Sequence, residues 1–339
     1  MNKSSNSLFL IVFCTLFFLS CTKNNDDFGP VTSQSNVSLP ADESVIVLNE
    51  GNFMFGNGSI TVIDENADVV SQQIFKQANG FPLGDVPQSM LIRDTLGYII
   101  VNNSSKIEVV KLTDFSSVKT IVGMNSPRYM AVVNESPLTV WVTDLYAKKI
   151  WEINFESGKV THEITTTGWD EYIYINERKA FILNTEDSVI NIFDTDTRIK
   201  IGHFGKRVID FKPWANSEYL ILAKDGIYKY NTTSQQLLDV KLFDIQRSPS
   251  KMAVDLNNKK VYFLDKGVFE YDFATLKKVV GSSKGDNFYG LTVKQSTGEI
   301  YLTDAKDYVQ PGVLKKYNAG FSDSVQYKVG INPQYILFK

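Results

Sequence analysis

The sequence predicts an all-β protein: a seven-bladed β-propeller with four-stranded blades, its ring closed by the C-terminal strand joining the N-terminal blade. Three observations predict it. First, a short apolar run recurs seven times, starting at Val45, Tyr98, Val140, Ala180, Tyr219, Val261 and Ile300, with steps of 53, 42, 40, 39, 42 and 39 residues. Second, each run is followed by a further strand of aliphatic and aromatic residues, such as Ile107-Glu108-Val109-Val110 or Ile150-Trp151-Glu152-Ile153. A repeat of about 40 residues carrying several strands is the signature of a propeller blade. Third, the ends are complementary. Val45 opens on the second strand of a blade with no first strand ahead of it. Pro333-Gln334-Tyr335-Ile336-Leu337-Phe338 matches the first-strand pattern of Pro127-Arg128-Tyr129-Met130-Ala131-Val132. Joining the two removes the exposed sheet edges that an open array would have to protect.

Residues 127–160 show the unit most plainly. Met130-Ala131-Val132-Val133 and Val140-Trp141-Val142-Thr143-Asp144 flank Pro137, and Ser157-Gly158 marks the turn after the third strand. No window there has the three-to-four-residue spacing of an amphipathic helix. Six of the seven second-strand runs end in Asn or Asp, at Asn49, Asn102, Asp144, Asn184, Asp265 and Asp304; the fifth ends in Ala223. No WD dipeptide closes the strands, so the array is not a typical WD40 repeat.

Ahead of the repeats, Lys3 precedes an apolar run from Leu8 to Leu19, which suits a signal peptide and is too short for a membrane span. Phe18-Leu19-Ser20-Cys21 resembles a bacterial lipobox, with Phe where Leu is usual. That implies a lipoprotein signal peptide over 1–20 and lipidation of Cys21; an ordinary secretory leader with a chance cysteine is the alternative. Cys14 leaves with the leader, so Cys21 would have no partner for an internal disulfide. The polar, acidic tract Thr22–Asp27 resembles a lipoprotein surface-export signal of Bacteroidota, or is a plain solvated spacer. Residues 21–44 read as a lipidated flexible tether and 45–339 as the propeller, with an outer-membrane, lipid-anchored, cell-surface address.

Net charge is −3, from 35 basic and 38 acidic residues, and the basic residues are dispersed, which argues against a nucleic-acid surface. The two histidines, His162 and His203, fall on outer or inter-strand positions, which argues against a His/Cys metal cluster. No G-x-S-x-G elbow is present. The sequence therefore points away from an enzyme, although a carboxylate calcium site or a propeller metal lactonase stays open.

In a propeller, the loop after each second strand and the loop leading into the next first strand share one face. The first kind offers Asn49, Glu50, Asn52, Phe53, Asn102, Asn103, Asp144 and Tyr146 as ligand-binding candidates. The second kind offers Arg128, Tyr129, Trp169, Tyr172, Arg247, Lys251, Tyr289 and Tyr335. Rigid aromatics with a few polar groups suit a concave small-molecule site. The plainer alternative is that Tyr129 plugs the channel and the strand-ending Asn and Asp bond turn backbone. The stretches 49–58, 76–85 and 306–311 read as long loops carrying recognition.

Val47-Leu48-Asn49-Glu50-Gly51-Asn52-Phe53, the lipoprotein start and the Pro127–Asp144 pattern together resemble the YncE-like surface propeller lipoproteins of Bacteroidota. The resemblance covers residues 45–339, and Asn49-Glu50-Gly51-Asn52 is its most specific part. It implies a capture protein that partners a TonB-dependent outer-membrane transporter, requires no cofactor of its own, and carries cobalamin or a ferric siderophore as transported ligand. Cobalamin is favoured, since amides and aromatics can grip it without a protein ligand to cobalt. A polyanionic siderophore would call on Arg128, Arg247, Lys251, Lys224 and Lys266. Haem is disfavoured by the histidine positions. A protein- or glycan-binding scaffold and a hydrolase complete the alternatives.

Overall fold

A computed structural model describes residues 44–339; the leader, Cys21 and the tether lie outside the described residues. Twenty-eight strands form seven four-stranded antiparallel sheets, the predicted seven-bladed propeller. Blade one pairs the C-terminal strand Pro333–Phe338 with Ser44–Asn49, followed by Ser59–Asp64 and Val69–Ser71. Its register sets Val45 opposite Phe338 and Val47 opposite Ile336, so the ring closes as the ends of the sequence require.

The second strands are near-continuous apolar runs because both of their faces are covered. All six residues of Ser44–Asn49 are buried. Adjacent blades interlock through large side chains. Trp141 of blade three is wholly buried against Ile182 and Phe193 of blade four. Tyr301 of blade seven packs edge-on to Phe338 of blade one, ring centroids 4.9 Å apart. Outer strands, by contrast, alternate or are largely exposed.

The 53-residue first step has a different origin from the loop expected at 76–85. A short helix, Ile74–Asn79, buries Ile74 and Phe75 in the seam between blades one and two. Asn79 donates to Phe115 O and accepts from Ser117 N, which fastens the helix to the third hairpin of blade two. Six residues are too few for a helical period to stand out in sequence. Among the described residues no helix is long and apolar enough to cross a membrane.

The two faces of the ring are built differently. On one, every hairpin between a third and a fourth strand is closed by an Asp or Asn whose side chain accepts backbone N–H groups of the turn: Asp64, Asp114, Asn154, Asp194, Asn231, Asp272 and Asn318. These are Asx turns, local and self-satisfied. The other face carries the long, dissimilar loops.

Candidate functional site

The inner strands place a polar ring around the axis on the long-loop face. Arg128, one residue into its strand, donates through Nε to Glu171 Oε2 (2.7 Å) on blade four and through a terminal nitrogen to Gln88 Oε1 (2.6 Å) on blade two. Tyr289 of blade seven donates its hydroxyl to Glu50 Oε2 (2.8 Å) of blade one. Burial pushes the Glu50 carboxyl above its ordinary range, against the opposing pull of Tyr289, Lys251 and Arg128. Burial works against the Arg128 charge as well, but Glu171 outweighs it and holds the guanidinium more firmly protonated than usual. The Lys251 ammonium makes no ion pair or hydrogen bond among the described residues, although the Lys251 carbonyl accepts from Leu264 N (3.0 Å).

Below this ring the channel is plugged. The Tyr129 hydroxyl accepts from Gln88 Nε2 (3.3 Å) and lies at 3.5 Å from Gln334 Nε2, so it is reached from blades one and two while its own backbone belongs to blade three. Its ring meets Tyr172 edge-on at 5.8 Å and Tyr335 at 6.4 Å. Tyr172 packs in turn on Phe211 and lies under the Lys212 ammonium, at 4.3 Å. Burial drives the phenols of Tyr172 and Tyr335 well above the usual tyrosine range. Tyr129, Tyr172 and Tyr335 are therefore floor, and their rings are engaged by one another rather than presented to a ligand.

Several other candidates are also structural. Asn49 is fully buried, donates to Thr61 Oγ1 (3.1 Å) and accepts from Gly330 N (3.0 Å). Asp144, also fully buried, accepts from Asn125 N (2.7 Å), Ser126 N (2.9 Å) and Trp151 Nε1 (2.9 Å). Asn102 donates to Ser126 Oγ and Pro127 O, both at 2.9 Å. These strand-ending residues clamp the chain as it passes between blades, and a buried group so engaged has nothing left for a ligand. Arg247 pairs with Asp265 at 3.1 Å and its guanidinium stacks over Phe269 at 4.1 Å, so it too is held within blade six.

The remaining candidates stand on the rim. Phe53, Tyr146 and Trp169 are exposed, as are Phe55 and Tyr308 in loops of the same face. Five of the six exposed aromatic side chains among the described residues belong to loops of this face; the sixth, Phe81, packs on Phe75 beside the helix that Asn79 fastens to the short-turn hairpin of blade two. Asn52 fixes part of the rim by donating to Tyr308 O (3.1 Å) and accepting from Asn57 Nδ2 (3.1 Å). Asn103 donates to Asp85 Oδ2 (2.5 Å), which also receives Met54 N (2.7 Å); Asp85 Oδ1 and Gln334 Oε1 are buried with no partner.

Sequence reading missed Glu171 and the Asp210–Lys212 pair (2.6 Å). The signal was available: Gln88, Arg128, Glu171, Lys251, Tyr289 and Gln334 occupy equivalent positions at the head of the inner strands, and aligning the repeats there finds the ring. Both histidines sit on outer strands, His162 bonded to Glu152 (2.9 Å). Among the described residues no group of three or more His, Cys, Asp or Glu side chains is arranged to hold a metal ion.

No family model and no curated protein matches the chain. Solved structures do. A quinoprotein alcohol dehydrogenase-like protein of Bacteroides thetaiotaomicron aligns over 86% of this chain and 77% of its own, with a TM-score of 0.70 and 15% identity. Hydrazine synthase of Kuenenia stuttgartiensis aligns over 68% and 76%, at 0.56 and 11%. A dihydro-haem d1 dehydrogenase aligns over 91% and 76%, at 0.57 and 11%. At such identities the likeness is one of fold: this chain is a β-propeller like theirs.

Proposed function

We propose that the chain is a YncE-like surface lipoprotein, anchored through Cys21, that captures a bulky and largely uncharged cofactor on its long-loop face and passes it to a TonB-dependent transporter. Cobalamin is the first candidate. The observation that carries this reading is the gathering of five of the six exposed aromatics among the described residues, Phe53, Phe55, Tyr146, Trp169 and Tyr308, in loops of one face, around a floor whose charges are largely paired. Tyr146, Trp169 and Phe53 can cover an apolar macrocycle edge. The Lys251 ammonium, which has no side-chain partner among the described residues, matches the carbonyls of side-chain amides. Each such hydrogen bond contributes about 0.5–1.5 kcal/mol net, so useful affinity requires several blades together.

Electrostatics favours this ligand over a ferric siderophore. Of the five cations a polyanion would call on, Arg128 is bound to Glu171 and Arg247 to Asp265, which leaves Lys224, Lys251 and Lys266. Recruiting either arginine to a trianionic complex would mean breaking a buried pair, which is strongly unfavourable. The enzymes among the structural neighbours share the fold at 11–15% identity, which carries no activity to this chain.

Calorimetry of the full chain against cobalamin, a ferric catecholate siderophore and haem in parallel tests the reading. The expected result is binding of cobalamin that changes little with salt. Tighter binding of the siderophore, falling steeply with salt, would replace the ligand. Binding of none would bring forward a protein- or glycan-binding scaffold.

A further inference from the structure

The outer strand of blade five, Gln236–Leu242, ends its sheet; its Val240 N–H is capped by the neighbouring Asp239 Oδ1 (2.8 Å), and Leu238 is the extra residue of an irregularity in its pairing. Leu237, Leu238, Val240 and Leu242 on it are 54, 45, 42 and 56% exposed. Other outer strands are short, as Val69–Ser71, or largely polar, as Lys159–Thr165, and none exposes as many large apolar side chains: Ser117–Val122 shows two, Val118 and Val122, and Lys200–Phe204 one, Ile201. Shortness and polarity are the usual defences of an edge against pairing. Here the apolar side chains are accompanied by one acid and one base, Asp239 and Lys241, and neither makes an ion pair among the described residues.

The register within the blade sorts these side chains by face. Val240 lies opposite Tyr228 and Leu237 opposite Tyr230, so they share the face that looks across a groove of about 680 Å³ toward Phe204 and His203 of blade four. Asp239 lies opposite Lys229 and Lys241 opposite Ile227, on the other face. The strand therefore carries an apolar side and a charged side, and its sequence reads almost symmetrically about Val240.

We infer that this edge pairs with the same edge of a second copy, antiparallel, across a two-fold axis at Val240. In that register Val240 faces Val240, Leu238 faces Leu242 twice, and Asp239 faces Lys241 twice. A two-fold interface uses one patch on both subunits and so demands self-complementarity of this kind. Neighbouring registers fail. Moving the axis to residue 239 sets Asp239 against Asp239, and moving it to 241 sets Lys241 against Lys241; like charges directly opposite are destabilising. A slip by a single residue would place the apolar face of one copy beside the charged face of the other. Pairing would join two blades into one eight-stranded sheet and leave the long-loop faces of both rings open, so the inference stands apart from the capture reading.

Charge exchange tests it. Sedimentation of the full chain, in a non-ionic detergent that keeps its apolar leader dispersed, should show a monomer–dimer equilibrium. Asp239→Lys should raise the dissociation constant at least tenfold, as should Lys241→Asp alone. The double variant D239K/K241D restores opposite charges across the axis and should return the constant to within a few-fold of the parent. These side chains are on the surface, and unchanged melting curves would show that all the variants fold. A chain that stays monomeric overturns the inference. So does a dimer that tolerates either single reversal, or one that the double variant fails to rescue, which would assign the edge to another partner or to none.

Discussion

The two faces of the ring are made of the same repeat and do opposite things with it. On the short-turn face, seven Asx residues close seven hairpins, and turn N–H groups are bonded locally. Hydrogen bonds from the turn backbone hold the Asp194 and Asp272 carboxyls below the usual carboxylate range. On the long-loop face no two loops are alike, aromatic rings stand in solvent, and buried acceptors lie without partners. A face that satisfies itself has little to offer a ligand. One that leaves rings and carbonyls unspent is where recognition belongs, and within it the strand-ending Asn and Asp still behave like the opposite face, spending themselves on backbone.

That contrast can be broken in order of expected effect. Deleting residues 333–339 removes the inner strand of blade one, with Ile336, Leu337 and Phe338. At roughly 1.5–3 kcal/mol for each buried side chain, the loss approaches the whole stability of a typical domain, and the truncated chain should show no cooperative melting transition. Asp144→Ala strips the acceptor from three backbone N–H groups, of Asn125, Ser126 and Ala147, and from the Trp151 indole. It should cost about 4 kcal/mol in denaturant unfolding, since each buried group left unpaired costs about 1–3 kcal/mol. Had Asp144 been a ligand contact, stability would barely move.

Asp170 gives the next effect. Burial raises its carboxyl to about 6, against the hydrogen bond from Asn184 Nδ2 (3.3 Å). The folded state thus holds a proton that the unfolded chain has lost between its ordinary value near 3.8 and pH 6, and stability falls as pH rises through that window. Asp170→Asn has no such penalty. Relative to the parent it should gain roughly 2–3 kcal/mol between pH 4 and 7, with no further gain above, as read from unfolding curves at each pH.

The ring count and its closure were legible in the sequence because they depend on period and on matching ends, both of which survive in a linear string. The helix Ile74–Asn79 was not, being too short to show a period. Nor was the division of the candidates. Asn49, Asp144 and Trp169 all sit in loop-face positions, and only burial separates a clamp from a rim residue. Tyr129 was assigned to both ligand and plug by sequence, and the hydroxyl reached from two other blades decides for the plug. Glu171 is marked out by its cross-blade ion pair with Arg128 (2.7 Å), a contact between residues 43 apart that the linear string does not display.

The most direct test of the central claim, that the exposed rim and not the plugged hub recognises the ligand, is the affinity of the Tyr146→Ala/Trp169→Ala double variant for cobalamin, measured beside its melting curve. Affinity should fall at least tenfold, about 1.4 kcal/mol, while melting stays that of the parent, because neither ring is buried. An affinity equal to the parent's, with the fold intact, would contradict it.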